Sequence, residues 1–362
     1  MVILVTGGAG FIGSHVVDLL VSQGHEVRVL DLLHHDVHTQ APGYLNPDAD
    51  HRVADIRDID AVVSAVRGVE AVSHQAAMVG LGVDLDDIVG YVSHNALGTA
   101  VLLRALHRER FRGRLVLASS MVVYGEGGYR CEPCDIPARP VPRNATDLAA
   151  GRFEPVCPGC AGSLAPEAVE EHAHLDPQNV YAATKLHQEH LCWAYGREMG
   201  ASVTALRYHN VYGPRMPRDT PYAGVASMFR SALAAGRSPA VFEDGNQLRN
   251  FVHVFDVARA NALALATDTP GAFNIAGSEP RTIGAMASVL AGAFGEDAPR
   301  PIITGQYRLG DVRHVFASPR RAREVLGFRA SIGFEDGVRA FATDPLRGTT
   351  RDGSETTMSP RL

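Results

Sequence analysis

The sequence has no long apolar run, no excess of basic residues and only five cysteines. No stretch approaches the roughly 20 apolar residues that cross a bilayer. The run Val2–Val5 is too short for the core of a secretory signal, and no basic residues precede it. Lys and Arg number 34 against 40 Asp and Glu, so the formal net charge is −6. We therefore expect no nucleic-acid partner, no membrane partner and a cytoplasmic location.

The composition is otherwise that of a folded protein. Hydrophobic residues make up 46% of the chain and charged residues 20%, which is ordinary for globular proteins. Such a chain has enough apolar surface to bury, and this excludes disorder throughout. At roughly 150 residues per domain the length allows two domains.

The first thirty residues alternate strand, turn, helix and strand. Val2–Val5 is a short run rich in β-branched residues, typical of a strand buried on both faces. The glycine-rich segment Thr6–Gly13 follows directly, and apolar residues then recur at helical spacing through Leu20. Glu26–Leu30 is predicted to form a second strand that leads to Asp31.

This pattern is suited to binding a dinucleotide. Closely spaced glycines allow a tight turn and a close approach of backbone to a pyrophosphate, and the helix N-terminus adds N–H donors and a positive dipole. Asp31 lies about 20 residues beyond the loop, where a carboxylate accepts hydrogen bonds from the adenosine ribose hydroxyls. The same carboxylate repels a 2′-phosphate, which favours NAD over NADP. The cofactor-binding residues expected here are Gly7, Gly10, Phe11, Ile12, Gly13 and Asp31.

Strands and helices continue to alternate further along the chain. Val53–Asp58 and Ala71–Ala77 are predicted as the third and fourth strands, and Val92–His107 has helical periodicity. Arg114–Ser119 and Ser202–Leu206 are predicted as the fifth and sixth strands. This rhythm predicts an α/β fold with a doubly wound parallel sheet, in which ligands bind at the carboxyl ends of the strands.

Tyr181 and Lys185 are four residues apart, so on a helix they share one face. A phenol is a poor base at neutral pH, but a neighbouring ammonium group and a positively charged nicotinamide stabilise the phenolate. The pair can therefore move a proton on and off a substrate hydroxyl while NAD exchanges hydride. Ser120, at the end of a predicted strand, can hydrogen-bond the same oxygen.

With these motifs together, the chain resembles the extended short-chain dehydrogenase/reductases, and among them the NAD-dependent nucleotide-sugar epimerase/dehydratase family. The resemblance covers residues 1 to about 340 in the family's order, and the motifs are jointly highly specific. Besides Thr6–Gly13 and Tyr181–Lys185, the matching segments are Asp55–Asp58, His74–Ala77, Asn95–Thr99, Ser119–Gly125, Arg207–Arg215, Arg249–Ala258 and Gly310–Arg313.

The resemblance implies roles for individual residues. Asp55 and Ile56 would lie beside the adenine, and arginines would hold the diphosphate or ribose of the substrate, since a guanidinium offers bidentate donors and stays charged. The residues implied are Ser120, Tyr181 and Lys185 for catalysis; Asp55, Ile56, Ala76, Ala77, Asn95, Tyr181 and Lys185 for cofactor contacts; and Ser120, Asn210, Arg249 and Arg313 for substrate contacts.

The expected reaction is a 4-epimerisation of a nucleotide sugar. Dehydratases of the family carry an acidic pair directly after the catalytic Ser or Thr, whereas this chain has Met121 and Val122 there. An epimerase would oxidise carbon 4 with tightly held NAD and return the hydride to the other face, whereas a 4-ketoreductase would reduce a 4-keto-6-deoxy sugar once. Asp31 favours NAD and, with it, epimerisation. The resemblance of the cysteine-containing insert at 131–160 to that of a subset of the family implies a dTDP-linked 6-deoxyhexose such as dTDP-L-rhamnose, preferred over a UDP-hexose. An NAD-sensing scaffold is the non-enzymatic alternative, which the intact catalytic trio disfavours.

Four of the five cysteines lie in two C-x-x-C pairs. Cys131 and Cys134 are separated from Cys157 and Cys160 by 22 residues, a spacing that can bring four thiolates to one tetrahedral Zn²⁺. Four thiolates fill the coordination shell, so the metal is expected to be structural. Two unrelated pairs of free thiols, or disulfides, are the alternative.

The predicted domains follow from these segments. Residues 1–207 are expected to form the Rossmann domain, with a zinc-ribbon-like insert at 131–160, and residues 208–344 a smaller substrate-binding domain. Part of that region, about 238–276, is expected to return to the main sheet, and the polar tail 345–362 is expected to be disordered. The segments expected to return are Ala240–Phe242 and Phe273–Ala276.

A homodimer is also implied by the resemblance. Members of the family commonly dimerise by packing two helices of each subunit into a four-helix bundle. In this chain Val92–His107 and Tyr181–Arg197 would supply those helices.

Overall fold

The computed structural model describes residues 1–34, 37–38, 42–80, 85–218 and 224–347. In these residues the chain forms a large lobe around a parallel sheet, a smaller lobe and an insert with its own sheet. The strands are β1 Val2–Thr6, β2 Glu26–Asp31, β3 Asp50–Val53, β4 Ala71–His74, β5 Arg114–Ser120, β6 Gly128–Cys131, β7 Ile136–Ala138, β8 Leu164–Glu167, β9 Ser202–Tyr208, β10 Asn210–Tyr212, β11 Ala240–Val241, β12 Leu248–His253, β13 Gly271–Ile275, β14 Pro280–Thr282 and β15 Ile302–Ile303. The α-helices are α1 Phe11–Ser22, α2 Ile59–Val66, α3 Ile88–Tyr91, α4 Gly98–Arg108, α5 Ala145–Ala149, α6 Val180–Met199, α7 Val225–Ala234, α8 Val254–Ala266, α9 Ile283–Ala293, α10 Arg320–Leu326 and α11 Phe334–Phe341. Short 3₁₀ turns span Leu85–Asp87 and Met121–Tyr124, and a π-helical segment spans Val92–Leu97.

The main sheet has seven parallel strands in the order β13-β9-β5-β4-β1-β2-β3. The first three strands extend from β1 in one direction and the later strands extend from it in the other, so a crevice opens at the carboxyl ends of β1 and β4. Central-strand residues such as Leu4 and Val5 are fully buried, because helices cover both faces. This arrangement confirms the predicted α/β fold with a doubly wound parallel sheet.

The third strand lies earlier in the chain than the sequence pattern predicts. It spans Asp50–Val53 instead of Val53–Asp58, and it pairs only with β2 at the edge of the sheet. An edge strand is half-exposed and needs no apolar run, and Val53 is indeed 66% exposed. Asp58, the acid predicted to close the strand, instead caps α2 by accepting hydrogen bonds from two backbone N–H groups of its first turn.

Of the two segments expected to return to the main sheet, only one does so. Gly271–Ile275 pairs in parallel with β9. Ala240–Val241 pairs instead with Ile302–Ile303 in a separate two-stranded sheet, so the expectation for Ala240–Phe242 is wrong. Because β13 already covers the outer edge of β9, this short strand pairs inside the smaller lobe, where Val241 is buried in the apolar core.

The insert spans β6 to β8 and folds around very few apolar groups. β6 pairs antiparallel with both β7 and β8. Its apolar cluster consists of Tyr129, Cys131, Cys157 and Leu164. So small a core contributes little stabilisation by apolar burial, and small units of this kind usually need a covalent or metal link.

The end of the described chain is ordered further than the sequence predicts. Residues 345–347 belong to the tail expected to be disordered, but Arg347 forms a parallel bridge with Pro217, and the Arg215 amide donates a hydrogen bond of 2.7 Å to the Pro345 carbonyl oxygen. The rest of that tail, 348–362, lies outside the described residues. No helix within the described ranges combines the length and the apolar character that a membrane crossing requires.

Candidate active site

The glycine-rich turn after β1 lies at the point where the strand order reverses. Gly7 has a φ of +70°, and a Cβ there would lie 2.6 Å from the backbone nitrogen of Ala76. Ala76 and Ala77 follow β4, so the two strand ends meet at this turn. A Cβ on Gly13 would lie 2.1 Å from the Gly7 carbonyl oxygen, and one on Gly10 would lie 3.1 Å from it. Only glycine lets the helix start pack so closely against the strand end.

The N-terminus of α1 offers uncapped N–H groups to this turn. Gly10 is the N-cap and has no side chain to accept a hydrogen bond, and the first turn carries no acidic residue. The first backbone N–H groups, those of Phe11, Ile12 and Gly13, have no partner inside a helix. Together with the helix dipole they form a site suited to a pyrophosphate.

Asp31 ends β2 beside the same turn. One carboxylate oxygen accepts a hydrogen bond of 3.0 Å from the Ala9 amide, and the other accepts one of 2.9 Å from the Leu33 amide. Each oxygen keeps a further lone pair, so the carboxylate can still accept from ribose hydroxyls. The turn, the helix end and this acid together fit NAD.

The two residues predicted to lie beside the adenine differ in what they offer. Asp55 accepts hydrogen bonds from the Arg57 guanidinium, one of them at 2.5 Å, and these bonds hold the pKa of Asp55 below its usual value. Ile56 is only 8% exposed and packs in the core of the large lobe. Ile56 therefore has little surface left for a ligand, whereas Asp55 remains partly accessible.

Asn95 links two segments of the chain through side-chain hydrogen bonds. It is fully buried in the π-helical segment. Its amide group exchanges hydrogen bonds with the backbone of Met78, at 2.8 and 3.0 Å, and donates a bond of 3.0 Å to the Thr184 hydroxyl. These bonds tie the β4 loop to α6. The Asn95 Oδ1 keeps a second lone pair, and the cofactor contact of Asn95 stays a prediction.

The three predicted catalytic residues come together at the carboxyl end of β5. Asn179 caps α6 by accepting a hydrogen bond of 2.9 Å from the Ala182 amide, which places Tyr181 in the first turn and Lys185 one turn further on. The Lys185 Nζ lies 5.9 Å from the centre of the Tyr181 ring. Ser120 is the last residue of β5, and its hydroxyl interacts with the Tyr181 phenol.

Burial shifts the ionisation of this pair in opposite directions. Burial lowers the pKa of Lys185 to about 8, although Cys192 and Glu189 raise it. Burial raises the pKa of Tyr181 above its usual value, against the hydrogen bond with Ser120. The phenol is therefore protonated at neutral pH in the free protein, and it needs nearby positive charge to act as a base.

A buried ion pair that the sequence motifs did not single out supports this site. Glu189, one turn after Lys185, accepts two hydrogen bonds from the Arg207 guanidinium at 3.0 and 2.8 Å. The Ser119 hydroxyl donates to the same carboxylate at 2.5 Å. Because Ser119 precedes Ser120 on β5, this pair fixes the strand end against α6. The spacing of Glu189 four residues after Lys185 was the available sequence signal.

Tyr181 opens onto a cavity of about 450 Å³ between the two lobes. Asn210 and Arg249, both predicted to contact substrate, line this cavity. The Asn210 Oδ1 is buried and has no hydrogen-bond partner among the described residues, so its capacity to accept a hydrogen bond is unused. Met121 and Val122 form an apolar part of the wall.

The arginines of the cavity differ from the prediction. Arg249 donates to the backbone carbonyls of Val312 and Arg313, at 2.7 and 2.9 Å. The Arg313 side chain is fully buried outside the cavity among three carboxylates, so the predicted substrate contact by Arg313 is wrong in this structure. Arg308 lines the cavity instead, with its guanidinium carbon 5.3 Å from the centre of the Phe242 ring. Its basic side chain close before Gly310 was the signal that could have identified it.

The four paired cysteines converge at the tip of the insert. Their Sγ atoms all lie within 4.8 Å of one another, and no disulfide joins them. The two C-x-x-C turns repeat one geometry, because the residues that follow them, Asp135 and Ala161, have φ of 51° and 56°. Their amides donate bonds of 2.8 Å to the carbonyl oxygens of Cys131 and Cys157. Backbone hydrogen bonds lower the pKa of Cys157 to about 7.

The sequence matches the NAD dependent epimerase/dehydratase family over residues 3–145 and 158–276, and the chain belongs to this family. This confirms the family that the motifs indicate. The stretch left out of the match, 146–157, lies inside the insert.

Three relatives show how closely the whole chain follows known enzymes. A dTDP-L-rhamnose 4-epimerase of Burkholderia thailandensis is 32% identical over 349 residues, which cover 94% of each chain. The crystal structure of the Thermus thermophilus UDP-glucose 4-epimerase complex with NAD has a TM-score of 0.75 at 31% identity, covering 94% of this chain and 98% of that one. The UDP-glucuronic acid 4-epimerase of Bacillus cereus, in complex with UDP-glucuronic acid and NAD, has a TM-score of 0.77 at 26% identity with the same coverage. These relatives support an NAD-dependent sugar-nucleotide epimerase, and they differ in the sugar and the base.

Proposed function

We propose that the protein is an NAD-dependent 4-epimerase of a dTDP-linked 6-deoxyhexose, such as dTDP-L-rhamnose. The observation that carries the proposal is the position of Tyr181, with Ser120 and Lys185 beside it, on the wall of the cavity that Asn210 and Arg249 also line. This juxtaposition puts proton-transfer groups beside groups that can hold a nucleotide sugar.

The chain's own residues divide the chemistry between them. Bound NAD supplies the acceptor and donor of hydride for carbon 4 of the sugar. Tyr181 accepts the proton of the 4-hydroxyl and later returns it, and the Ser120 hydroxyl hydrogen-bonds the same oxygen. The Lys185 ammonium, together with the positive nicotinamide ring, lowers the energy of the phenolate.

In this proposal the diphosphate of the substrate lies beside Arg249 and Arg308. Both line the cavity, and a guanidinium forms strong charge-assisted hydrogen bonds with phosphate oxygens. Asn210 supplies a further polar contact through its unpartnered Oδ1.

The apolar residues after Ser120 support the choice of sugar. Met121 and Val122 have no proton to exchange, which argues against a dehydratase. A methyl group at carbon 6 suits their apolar surface better than a hydroxyl or a carboxylate, because burying an unpaired polar group costs free energy. The relative that acts on dTDP-L-rhamnose covers nearly the whole chain.

A substrate panel tests this proposal directly. Purified protein is expected to retain NAD and to interconvert dTDP-L-rhamnose and its 4-epimer with no net consumption of NADPH. Epimer formation from UDP-glucose in preference to the dTDP-sugar would move the assignment to a UDP-hexose 4-epimerase. Stoichiometric NADPH oxidation with a dTDP-4-keto-6-deoxy sugar would identify a 4-ketoreductase, and protein that binds NAD but turns over none of the dTDP-, UDP- and GDP-sugars would favour a scaffold.

We also propose a structural Zn²⁺ on Cys131, Cys134, Cys157 and Cys160. At a Zn–S distance of about 2.3 Å, tetrahedral thiolates lie about 3.8 Å apart, and the four Sγ atoms already lie within 4.8 Å of one another. Four thiolates leave no open position, so the metal holds the insert together and takes no part in the reaction.

A homodimer is the proposed assembly, built on α4 and α6 as the family resemblance implies. The segment before α4 supports it with exposed apolar side chains: Val89, Val92 and Leu97 are 74%, 47% and 51% exposed. Light scattering coupled to size-exclusion chromatography is expected to give twice the chain mass, and Val92→Glu is expected to shift it to the monomer.

A further inference from the structure

Residues 308–315 form one wall of the cavity, and their backbone sets the direction of a substrate-binding arginine. The carbonyl oxygens of Val312 and Arg313 accept hydrogen bonds from the Arg249 guanidinium at 2.7 and 2.9 Å. Arg308 belongs to the same segment and lines the cavity itself. The position of residues 308–315 therefore decides where both guanidinium groups lie.

The Arg313 side chain holds this segment from the other side. Its Nε donates to Glu154 at 2.9 Å, its Nη1 to Glu243 at 2.9 Å and its Nη2 to Asp244 at 2.9 Å. Glu243 and Asp244 belong to the smaller lobe, whereas Glu154 belongs to the insert. A single buried guanidinium thus joins the insert to the smaller lobe directly behind the cavity wall.

His314 repeats the connection to the same insert carboxylate. The Leu248 amide donates to the His314 Nδ1 at 3.1 Å, so the proton lies on Nε2. The Nε2 then donates to the second oxygen of Glu154 at 2.9 Å. Both Glu154 oxygens are therefore used by consecutive residues of the 308–315 segment. Burial raises the pKa of Glu154, but hydrogen bonds from His314 and Arg313 outweigh it and bring the pKa to about 2.

The strand that carries the first cysteine of the insert contacts the same segment. The Tyr129 hydroxyl accepts a bond of 3.2 Å from the His314 amide, and the preceding Glu126 accepts one of 3.0 Å from the Arg313 amide. Tyr129 lies two residues before Cys131 on β6. The insert, together with Glu126 just before it, therefore contacts both the backbone and the side chains of Arg313 and His314.

We propose that Glu154 is a positioning residue for nucleotide-sugar binding, which holds residues 308–315, and with them Arg249 and Arg308, in the orientation that receives the diphosphate. The nature of the ligand rests on the proposed function, whereas the positioning rests on the contacts alone. Glu154 is 57% exposed at its side chain, and the buried Arg313 guanidinium keeps Glu243 and Asp244 as charged partners when Glu154 is replaced. Its loss is therefore expected to act on the segment and not on the fold.

The test compares Glu154→Gln with a matched carboxylate of the insert, Glu167→Gln. Glu167 pairs with the half-exposed Arg130 and has no contact with Arg313. In Glu154→Gln we expect amide exchange of residues 313–315 to be about tenfold faster, the Kd for dTDP and the KM to rise about tenfold, and kcat and bound NAD to stay within twofold. Glu167→Gln is expected to match the wild type in every one of these measurements.

A second variant tests whether two partners of Arg313 act through the same segment. Asp244→Asn removes another partner of Arg313, so its effect on the Kd for dTDP should combine with Glu154→Gln less than multiplicatively. Unchanged exchange and Kd in Glu154→Gln, or faster exchange across the whole protein, would overturn the proposal. If the wild type bound neither dTDP nor UDP, the proposed function would fail, and the exchange of residues 313–315 would still decide the positioning.

Discussion

The Lys185 Nζ donates a hydrogen bond of 2.9 Å to the carbonyl oxygen of Ala118. This bond joins α6 to the strand that ends in Ser120, and it uses one of the three donors of the ammonium group. Glu189, one helical turn further on, holds the same strand through Ser119 at 2.5 Å. Tyr181 lies on α6 and Ser120 lies on β5, and these two contacts fix the helix and the strand relative to each other.

Replacing Tyr181 with Phe removes the proposed acid–base group and leaves the ring in place. We expect kcat to fall by about 10²–10⁴-fold, the usual contribution of such catalysis, with bound NAD retained. Steady-state epimerisation and the absorbance of released cofactor measure the two effects. Tyr195→Phe is the matched control on α6, because the Tyr195 hydroxyl only donates to the Phe111 carbonyl; similar losses in both variants would contradict the role of Tyr181.

Gly13→Ala is expected to abolish cofactor retention. Its Cβ would stand 2.1 Å from the Gly7 carbonyl oxygen, so the turn must open and the pyrophosphate site is lost. We expect bound NAD to fall at least about tenfold. Gly292→Ala is the control, since nothing lies within 4 Å of that Cβ and the exchange in a helix favours stability by about 0.5–1 kcal/mol. Normal NAD content in Gly13→Ala would refute the assignment of the loop.

His74 is expected to make the fold sensitive to acid. Its ring nitrogens contact the Thr6 and Thr99 hydroxyls at 2.7 and 2.9 Å, and burial, with a contribution from Lys185, lowers its pKa to about 3. The unfolded chain takes up the proton near its ordinary value, so the stability present above that value is lost as pH falls toward 3. Between pH 6.5 and 5 this amounts to about 2 kcal/mol.

Urea denaturation at several pH values checks this effect. The free energy of unfolding of His74→Gln should fall less steeply with acid than that of the wild type, by about 2 kcal/mol over this interval. His172→Gln, at a side chain that is 84% exposed, should behave like the wild type. Parallel curves for all three proteins would show that His74 is not the responsible group.

The cysteine cluster is expected to hold about one zinc ion per chain. Elemental analysis should find that zinc in the wild type and in Cys192→Ala, whose buried thiol lies outside the cluster. Cys134→Ser should lose it and melt at a lower temperature. Wild-type protein without metal, in which four thiols react with a thiol reagent under native conditions, would contradict the site.

Arg308→Gln separates substrate binding from chemistry. Loss of a charge-assisted contact with a diphosphate costs about 1.5–3 kcal/mol, so KM should rise at least about tenfold while kcat changes little. Arg320→Gln is a suitable control because Arg320 pairs with Glu170 on the surface. Equal KM values for Arg308→Gln and the wild type would remove Arg308 from the site.

Motifs whose function depends on local backbone geometry could be predicted from the sequence. The turn around Gly7 and Gly13 and the spacing of Tyr181 and Lys185 each act within one or two consecutive elements, so their residue types carry the information. Arg313 could not be assigned in this way. Its side-chain direction is set by Glu154 and the smaller lobe, which are distant in the chain.

The sequence by itself determined the α/β fold, the glycine-rich turn after β1, the spacing that brings Tyr181 and Lys185 to one face of a helix, and the two C-x-x-C pairs. Each depends on periodicity or short spacing, which the chain encodes locally. Only the tertiary structure decided that Asn95 hydrogen-bonds the loop after β4 and that Arg308 lines the cavity. It also decided that Glu154 contacts Arg313 and His314 in the segment that forms one wall of the cavity. Those outcomes depend on which side chains from distant segments meet in one buried volume, and no local pattern records that.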